Sequence, residues 1–408
     1  MKKILTMALC LAAVGSMSAQ KATVDQAKKL CGKIDKIEEV RGLILEASKN
    51  PETANDVYTY YVGGKAEYDA YDEAIKKRMI NPNDKDVDPL AMGEQLVNGY
   101  KMFVKALPLD SVVDAKGKVK AKYSKDMLGK IFGHFNDYFN AGGNLYNAKK
   151  YYPGAYEAFM IYGDIAKSPL APKNIQALPD SVVNTAYFNA GLSAYAGNAL
   201  PEAATAFKKA RLNNSDNSQN YIYEIACWQY MAQNDSTLQN ASAAAIEDIA
   251  RAGYNRFGMA QPLFMNNLVN SYVIEGNFDK AVNLIGEELS KNPESPAMYG
   301  LRGFVYDRMD NTDASLADYR KAASYANADF ETLKNASKKI FKEGTVKWNK
   351  IEGNSAEARA ARADVKTNYF EAAKAIADRA KVLNPDDSDI DYILENINYA
   401  LETYFPNK

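Results

Sequence analysis

The stretch YFNAG occurs twice, at Tyr138–Gly142 and again at Tyr187–Gly191. Five identical residues recurring this closely mark an internal duplication, and a duplicated unit restricts the fold more than any other feature of the chain. Extended outwards, YFNAGGNLYNAKKYYPGAYEAFMIY (138–162) and YFNAGLSAYAGNALPEAATAFKKA (187–210) align end to end with one insertion. The shared pattern is a bulky residue, a glycine four later and an aromatic four after that. A Gly/Asn/Pro turn follows, and then an alanine and an aromatic spaced by four. Spacings of three and four on both sides of a turn predict two amphipathic helices in a hairpin.

Two further stretches carry the pattern without gaps: FMNNLVNSYVIEGNFDKAVNLIGEELSKNP (264–293) and MYGLRGFVYDRMDNTDASLADYRKAASYAN (298–327). Tyr272 and Tyr306, and likewise Ile285 and Tyr319, lie 34 residues apart. In this period and pattern the chain resembles the tetratricopeptide repeat family, whose repeat is a 34-residue helix hairpin. The resemblance implies an all-α solenoid of about eight antiparallel hairpins wound into a right-handed superhelix, spanning 20–408. It is clearest at 184–217, 262–295 and 296–329, with a closing helix over 388–404. Where the helices of one hairpin cross, side chains must be small. Gly64, Gly142, Gly191 and Gly303 supply that space on the first helix, and Ala203, Ala210, Ala281 and Ala322 on the second. Bulky Tyr187, Phe207, Tyr299 and Tyr319 fill the gaps around them. Residues 23–51 read as a worn first repeat and 57–110 as a second, interrupted by NPNDKDVDP. Another unit covers about 218–253, and 330–385 exceeds one period.

The first 19 residues stand apart. Lys2 and Lys3 precede the eleven-residue apolar run ILTMALCLAAV, followed by Gly15 and SMSA. This predicts a cleaved secretory signal with Ala19–Gln20 as the preferred junction and Ser18 as a competitor. The run is too short to span a membrane, and Cys10, inside it and preceded by Leu9, is poorly placed for lipidation. Without the two leader lysines the chain carries 48 basic against 51 acidic side chains, a net charge of −3. That balance gives no field for nucleic acid. Cys31 and Cys227 then remain, several repeats apart. Neighbours alone touch in a solenoid, so both are expected as unpaired, small buried helix residues.

Converging polar groups of the kind an enzyme needs are scarce. His134 is the one histidine, which excludes HExxH and any histidine pair, and it reads as a helix-surface or partly buried hydrogen-bonding residue rather than a catalyst. No GxxxxGK[ST] or GxGxxG is present, and the glycines of YVGGK and NAGGN read as helix packing. NDKDVD and NPDDSDID lack the spacing of a calcium loop and fit solvated loops and helix N-caps. No cofactor or metal is expected, and no enzymatic activity.

What remains is binding. Lys116, Lys118, Lys120 and Lys122 alternate in AKGKVKAKYSK, which predicts an extended loop or short hairpin. It is either a solvated insertion or a contact for an anionic envelope component or acidic partner. The 28 tyrosines are mostly at packing positions, and the others could stack on a glycan or a peptide. The family's geometry places positions 2, 5, 9, 12 and 13 of each first helix on the concave surface. Carried over, these give Phe139 and Tyr146, Phe188 and Tyr195, Asn266 and Asn270, and Phe304 and Arg308. The lysine pattern of the family's carboxylate clamp is missing, which leaves an aromatic and amide groove for an extended chain. The resemblance, with the leader, implies an exported, periplasmic or outer-membrane-associated scaffold of a Gram-negative bacterium that holds a protein or peptide partner. The alternative is an outer-membrane-associated glycan-binding protein. YFNAG itself admits two explanations, regular placement of Tyr146 and Tyr195 along a groove or mere repetition of helix packing.

Overall fold

A computed structural model of the chain describes residues 21–82, 84–111, 113, 117, 118 and 120–405. The proposed leader and its cleavage site, and Lys116 of the lysine run, lie outside these residues. The described chain is all-α, 80% helical, and forms a tetratricopeptide-like solenoid of helix hairpins. It divides into two compact units, Met1–Ala245 and Ile246–Lys408.

The first unit holds α1 (21–30), α2 (Ile37–Lys49), α3 (Val57–Ile80), α4 (Pro89–Asp110), α5 (Ser124–Gly133), α6 (Phe135–Asn147) and α7 (Tyr152–Ala166). It continues through the four-residue α8 (Lys173–Gln176), α9 (Asp180–Ala196), α10 (Leu200–Leu212) and α11 (Ser218–Asn234). The division falls inside α12 (Gln239–Phe257). The second unit continues with α13 (Pro262–Ile274), α14 (Phe278–Lys291), α15 (Pro296–Arg308), α16 (Thr312–Ser324) and α17 (Phe330–Asn349). α18 (Ala356–Val365), a π-helical turn (Lys366–Glu371), α19 (Ala372–Leu383) and α20 (Ser388–Tyr404) complete it. α3 packs on α4, α6 on α7, α9 on α10, α13 on α14, α15 on α16 and α17 on α19 as helix hairpins, and the extra length of 330–385 is α18 with the π turn, inserted ahead of α19. α20 ends the array over the range the sequence predicts for the closing helix.

A glycine on the first helix against a ring on the second recurs from hairpin to hairpin. A Cβ added at Gly142 on α6 would lie 2.8 Å from Phe159 Cγ on α7, and one at Gly191 on α9 would lie 2.5 Å from Phe207 Cε1 on α10. Gly64 meets Phe103, and Gly303 meets Tyr319, in the same way. A ring from the second helix lies on the bare backbone of the first, so the two axes approach closely and the ring loses its water. Phe103 and Phe207 are fully buried, and Ala203, Ala210, Ala281 and Ala322 have no exposed surface. Tyr299 packs against the core of its unit while only half-buried, stacked on Tyr325 and beside the Arg302 guanidinium. The paired glycines also divide. A Cβ at Gly143 would meet nothing within 4 Å, so packing explains Gly142 and not Gly143.

The turns repeat as strictly as the contacts. Asn198, Gly276 and Asp310 have positive φ of 58°, 74° and 56°, and Gly276 and Asp310 are 34 residues apart. After each, the next backbone N–H donates five residues back, Ala199 to Ala194 O, Asn277 to Tyr272 O and Asn311 to Tyr306 O, at 2.7–2.9 Å. This is the Schellman closure of a helix C-terminus, and it accounts for the 34-residue spacing of Tyr272 and Tyr306. The helix starts are equally determined: Asp88, Asn217, Ser295, Asp329 and Asp387 each accept a backbone N–H of the first turn. Asp88 and Asp387 come from the two acidic clusters, whose carboxylates thus act as caps.

Between α4 and α5 runs the lysine-rich insertion, with an isolated β-bridge at Val113. Its base is clamped by the buried Asp110 carboxylate, which accepts from Lys122 N (3.0 Å), Tyr123 N (2.8 Å), Ser124 N (2.6 Å) and Ser124 Oγ (2.7 Å). Burial works against the charge, but these four donors win and hold the Asp110 pKa below its ordinary value. Cys31 and Cys227 are free thiols, as expected. Cys227 is fully buried in α11, whereas Cys31 is half-buried in the turn after α1, so it is not the helix residue the pattern predicts.

Candidate functional site

In the second unit the first helices of successive hairpins share a face. α13 supplies Asn266 and Asn270, one turn apart, α15 supplies Ala297, Gly300, Leu301 and Phe304, and α17 supplies Thr332 and Asn335. Together they enclose a cavity of about 350 Å³. Gly300 permits the approach of α15 to α17: its Cβ position lies 3.4 Å from the Thr332 methyl. Arg302 holds α15 on α16 through a bidentate pair with Asp318 at 2.7 and 2.9 Å. Tyr319 reaches the cavity from α16. Burial pushes its phenol far above the usual range, so it stays neutral at any physiological pH. Of the four residues predicted for this unit, Asn266, Asn270 and Phe304 meet here, and Arg308 does not. It lies exposed at the end of α15, one turn beyond Phe304. The amides and the ring offer donors, acceptors and an apolar surface, the chemistry that an extended peptide backbone with intermittent apolar side chains requires.

A second cavity of about 640 Å³ lies further along α17, between it and α20. Lys338, Phe341, Lys342, Thr345 and Val346 line it from α17, and Asp389, Tyr392, Ile393 and Asn396 from α20. Glu331, Asn335, Lys338, Lys342 and Thr345 follow spacings of four and three, so one face of α17 serves both cavities. The stripe is written in the sequence, but 330–385 fits no single period and so gives these residues no repeat position that would mark them.

In the first unit the predicted residues do not converge on one place. Phe139 sits at the core edge, edge-on to Phe159 and Tyr162. Tyr146, 37% exposed, meets Tyr152 across its own hairpin turn. Phe188 and Tyr195 pack with Tyr223 of α11, and Tyr195 also approaches Tyr230. Phe188 additionally lines a cavity of about 360 Å³ with Ser181, Asn184, Thr185 and Asn220. The Asn220 side chain is buried there, and its Oδ1 has no hydrogen-bond partner among the described residues.

His134 occupies the single residue between α5 and α6. Its Nδ1 lies 2.9 Å from Asp137 Oδ2 and its Nε2 3.2 Å from Asp72 Oδ1, with the ring stacked on Tyr68. Lys130 bridges Asp69 and Asp72 at 3.0 and 3.1 Å. These pairs tie α3 to α5 and α6, the partly buried hydrogen-bonding role expected of the histidine. A buried Arg211–Glu224 pair, 2.7 Å at its shortest, joins α10 to α11 in the same structural capacity. Among the described residues no group of side chains is arranged to hold a metal ion, and no helix is long and apolar enough to cross a membrane.

Neither a protein-family model nor a curated protein sequence matches the chain. Solved structures similar to it include yeast Tom70, with 13% identity, covering 94% of this chain and 89% of that one, at a TM-score of 0.33. The P58(IPK) TPR domain is 10% identical over 95% of this chain and 100% of that one (TM-score 0.28). The Cut9–Hcn1 hetero-tetramer of the APC/C is 12% identical, covering 95% and 74% (TM-score 0.31). Superpositions this loose carry no inference about function, and the fold assignment rests on the repeated glycine–aromatic contacts and Schellman turns of the chain itself.

Proposed function

We propose that this chain is a non-enzymatic protein-binding scaffold, exported to the cell envelope, that holds a peptide segment of a partner against the first-helix face of residues 246–408. The observation that carries the proposal is the meeting of Asn266, Asn270 and Phe304, from consecutive first helices, in one cavity. A photo-crosslinking residue at Asn270 in intact cells tests it, with one at Glu287, exposed on the second helix α14, as control. A discrete adduct from position 270 and none from 287 is expected, on a mature chain beginning at Gln20. Equal labelling at both positions, or none, refutes the groove. The glycan-binding alternative has its own support in the Phe188 cavity, where one ring lies among hydroxyl, carboxylate and amide groups. Glycan-array binding abolished by Phe188→Ala, with no peptide adduct at 270, would put it in place of the first reading.

A further inference from the structure

The cavity between α17 and α20 has a composition unlike its neighbour. Phe341, Val346, Tyr392 and Ile393 give it an apolar floor and wall, and Lys338 and Lys342 stand one helical turn apart along its α17 rim. The other lysines nearby are engaged: Lys334 pairs with Glu331 and Asp387, and Lys339 with Asp307 and Glu343. Lys338 and Lys342 are at the surface and have no carboxylate partner among the described residues. Across the groove, Tyr392 and Tyr399 are each 67% exposed and seven residues apart on α20, so they form an uncovered aromatic ridge beside the cavity. The one carboxylate of the lining, Asp389, stands on the opposite, α20 wall, so the α17 rim is basic, and with the exposed tyrosines and the apolar floor it is complementary to an apolar surface with an acidic edge.

We propose that the α17–α20 groove receives an amphipathic helix of a partner protein, its apolar face on Phe341, Val346 and Tyr392 and acidic side chains one turn apart along its edge meeting Lys338 and Lys342. A helix is favoured over an extended strand because the groove is walled by two helices and the lysine spacing matches the four-residue repeat of a helix edge. The inference rests on the protein-binding reading of the array and adds the chemistry of one partner segment. Charge on the rim sets orientation and association rate, while the apolar floor supplies the holding contact.

The test uses the full chain and two designed amphipathic peptides of about five helical turns, identical except for a glutamate or a lysine edge, with binding read by fluorescence anisotropy at low and high salt. The glutamate peptide should bind, and more weakly as salt rises. K338E/K342E should weaken it about tenfold or more and favour the lysine peptide instead. Tyr392→Ser should weaken either peptide without lowering the Tm, because the ring is mostly exposed. Equal binding of both peptides by the wild type, no binding by either, or affinities unmoved by these substitutions overturns the proposal. So does a homodimer that K338E/K342E dissociates, which would assign the groove to a second copy of the chain. Asn266→Ala in the chain that carries the crosslinking residue at 270 separates this inference from the preceding one: it should keep the glutamate peptide while losing the adduct at 270.

Discussion

Gly142 and Gly143 are chemically identical neighbours with opposite structural roles. Replacing Gly142 by alanine drives a methyl into the Phe159 ring, whose Cγ would be 2.8 Å away, and should cost about 1–3 kcal/mol. Gly143→Ala meets nothing within 4 Å and, by relieving backbone entropy inside a helix, should stabilise by about 0.5–1 kcal/mol. Urea denaturation of the two variants checks this, and equal signs would show that the glycine–ring contact does not hold the hairpin. Asp110 makes a second residue-scale prediction. Its folded pKa lies below the ordinary 3.8, so the unfolded chain takes up the proton first as pH falls. The stability it contributes is complete above about pH 5, declines from near the unfolded value of about 4, and is gone below the folded one. Asp110→Asn should cost about 1–3 kcal/mol at neutral pH, and the gap from wild type should close on acidification. A gap that stays constant down to about pH 2, below the ordinary carboxylate range, would show that the clamp does not depend on the charge.

At the scale of the element, the hairpin was legible because its determinants are local. Tyr272, Tyr306, Ile285 and Tyr319 reveal the period, the glycine and aromatic on opposing helices reveal the crossing, and Asp387 and the apolar spacing of α20 reveal the closing helix. The candidate groove was legible only where that period holds. Asn266, Asn270 and Phe304 sit at repeat positions and meet, whereas Phe139 and Tyr195 sit at equivalent positions and pack against rings of their own or the next hairpin. Repeat position fixes which helix face a side chain occupies, but neighbouring side-chain volumes decide whether that face is open. The α17–α20 groove escaped because α18 and the π turn displace the second helix from its expected register. The turn supplies its own prediction. Gly276 has φ of 74°, so Gly276→Ala should cost about 1–2 kcal/mol. At Lys149, which also has positive φ (59°) in the turn after α6, Lys149→Gly should be neutral or slightly stabilising. Thermal melts showing the reverse order would contradict the positive φ at both turns.

For the whole molecule, stability in a stacked array is a sum over neighbouring hairpins rather than one property of a single core. The chain contains two tryptophans, Trp228 in the unit 1–245 and Trp348 in the unit 246–408, the latter stacked on Tyr404. Each fluorophore therefore reports its own unit. In single-tryptophan variants, Gly191→Leu should lower the urea midpoint seen by Trp228 and leave that seen by Trp348 in place. Coincident shifts of both would show one cooperative transition. The thiols extend this from unfolding to opening. Burial pushes the Cys227 pKa up to about 12, so at neutral pH about one thiol in 10⁵ is ionised and a maleimide has almost nothing to attack, while half-buried Cys31 is met first. Modification of Cys227 then waits for α11 to part from its neighbours. Its labelling rate is a clock on the breathing of a single repeat, running in native buffer where no denaturation curve can follow it.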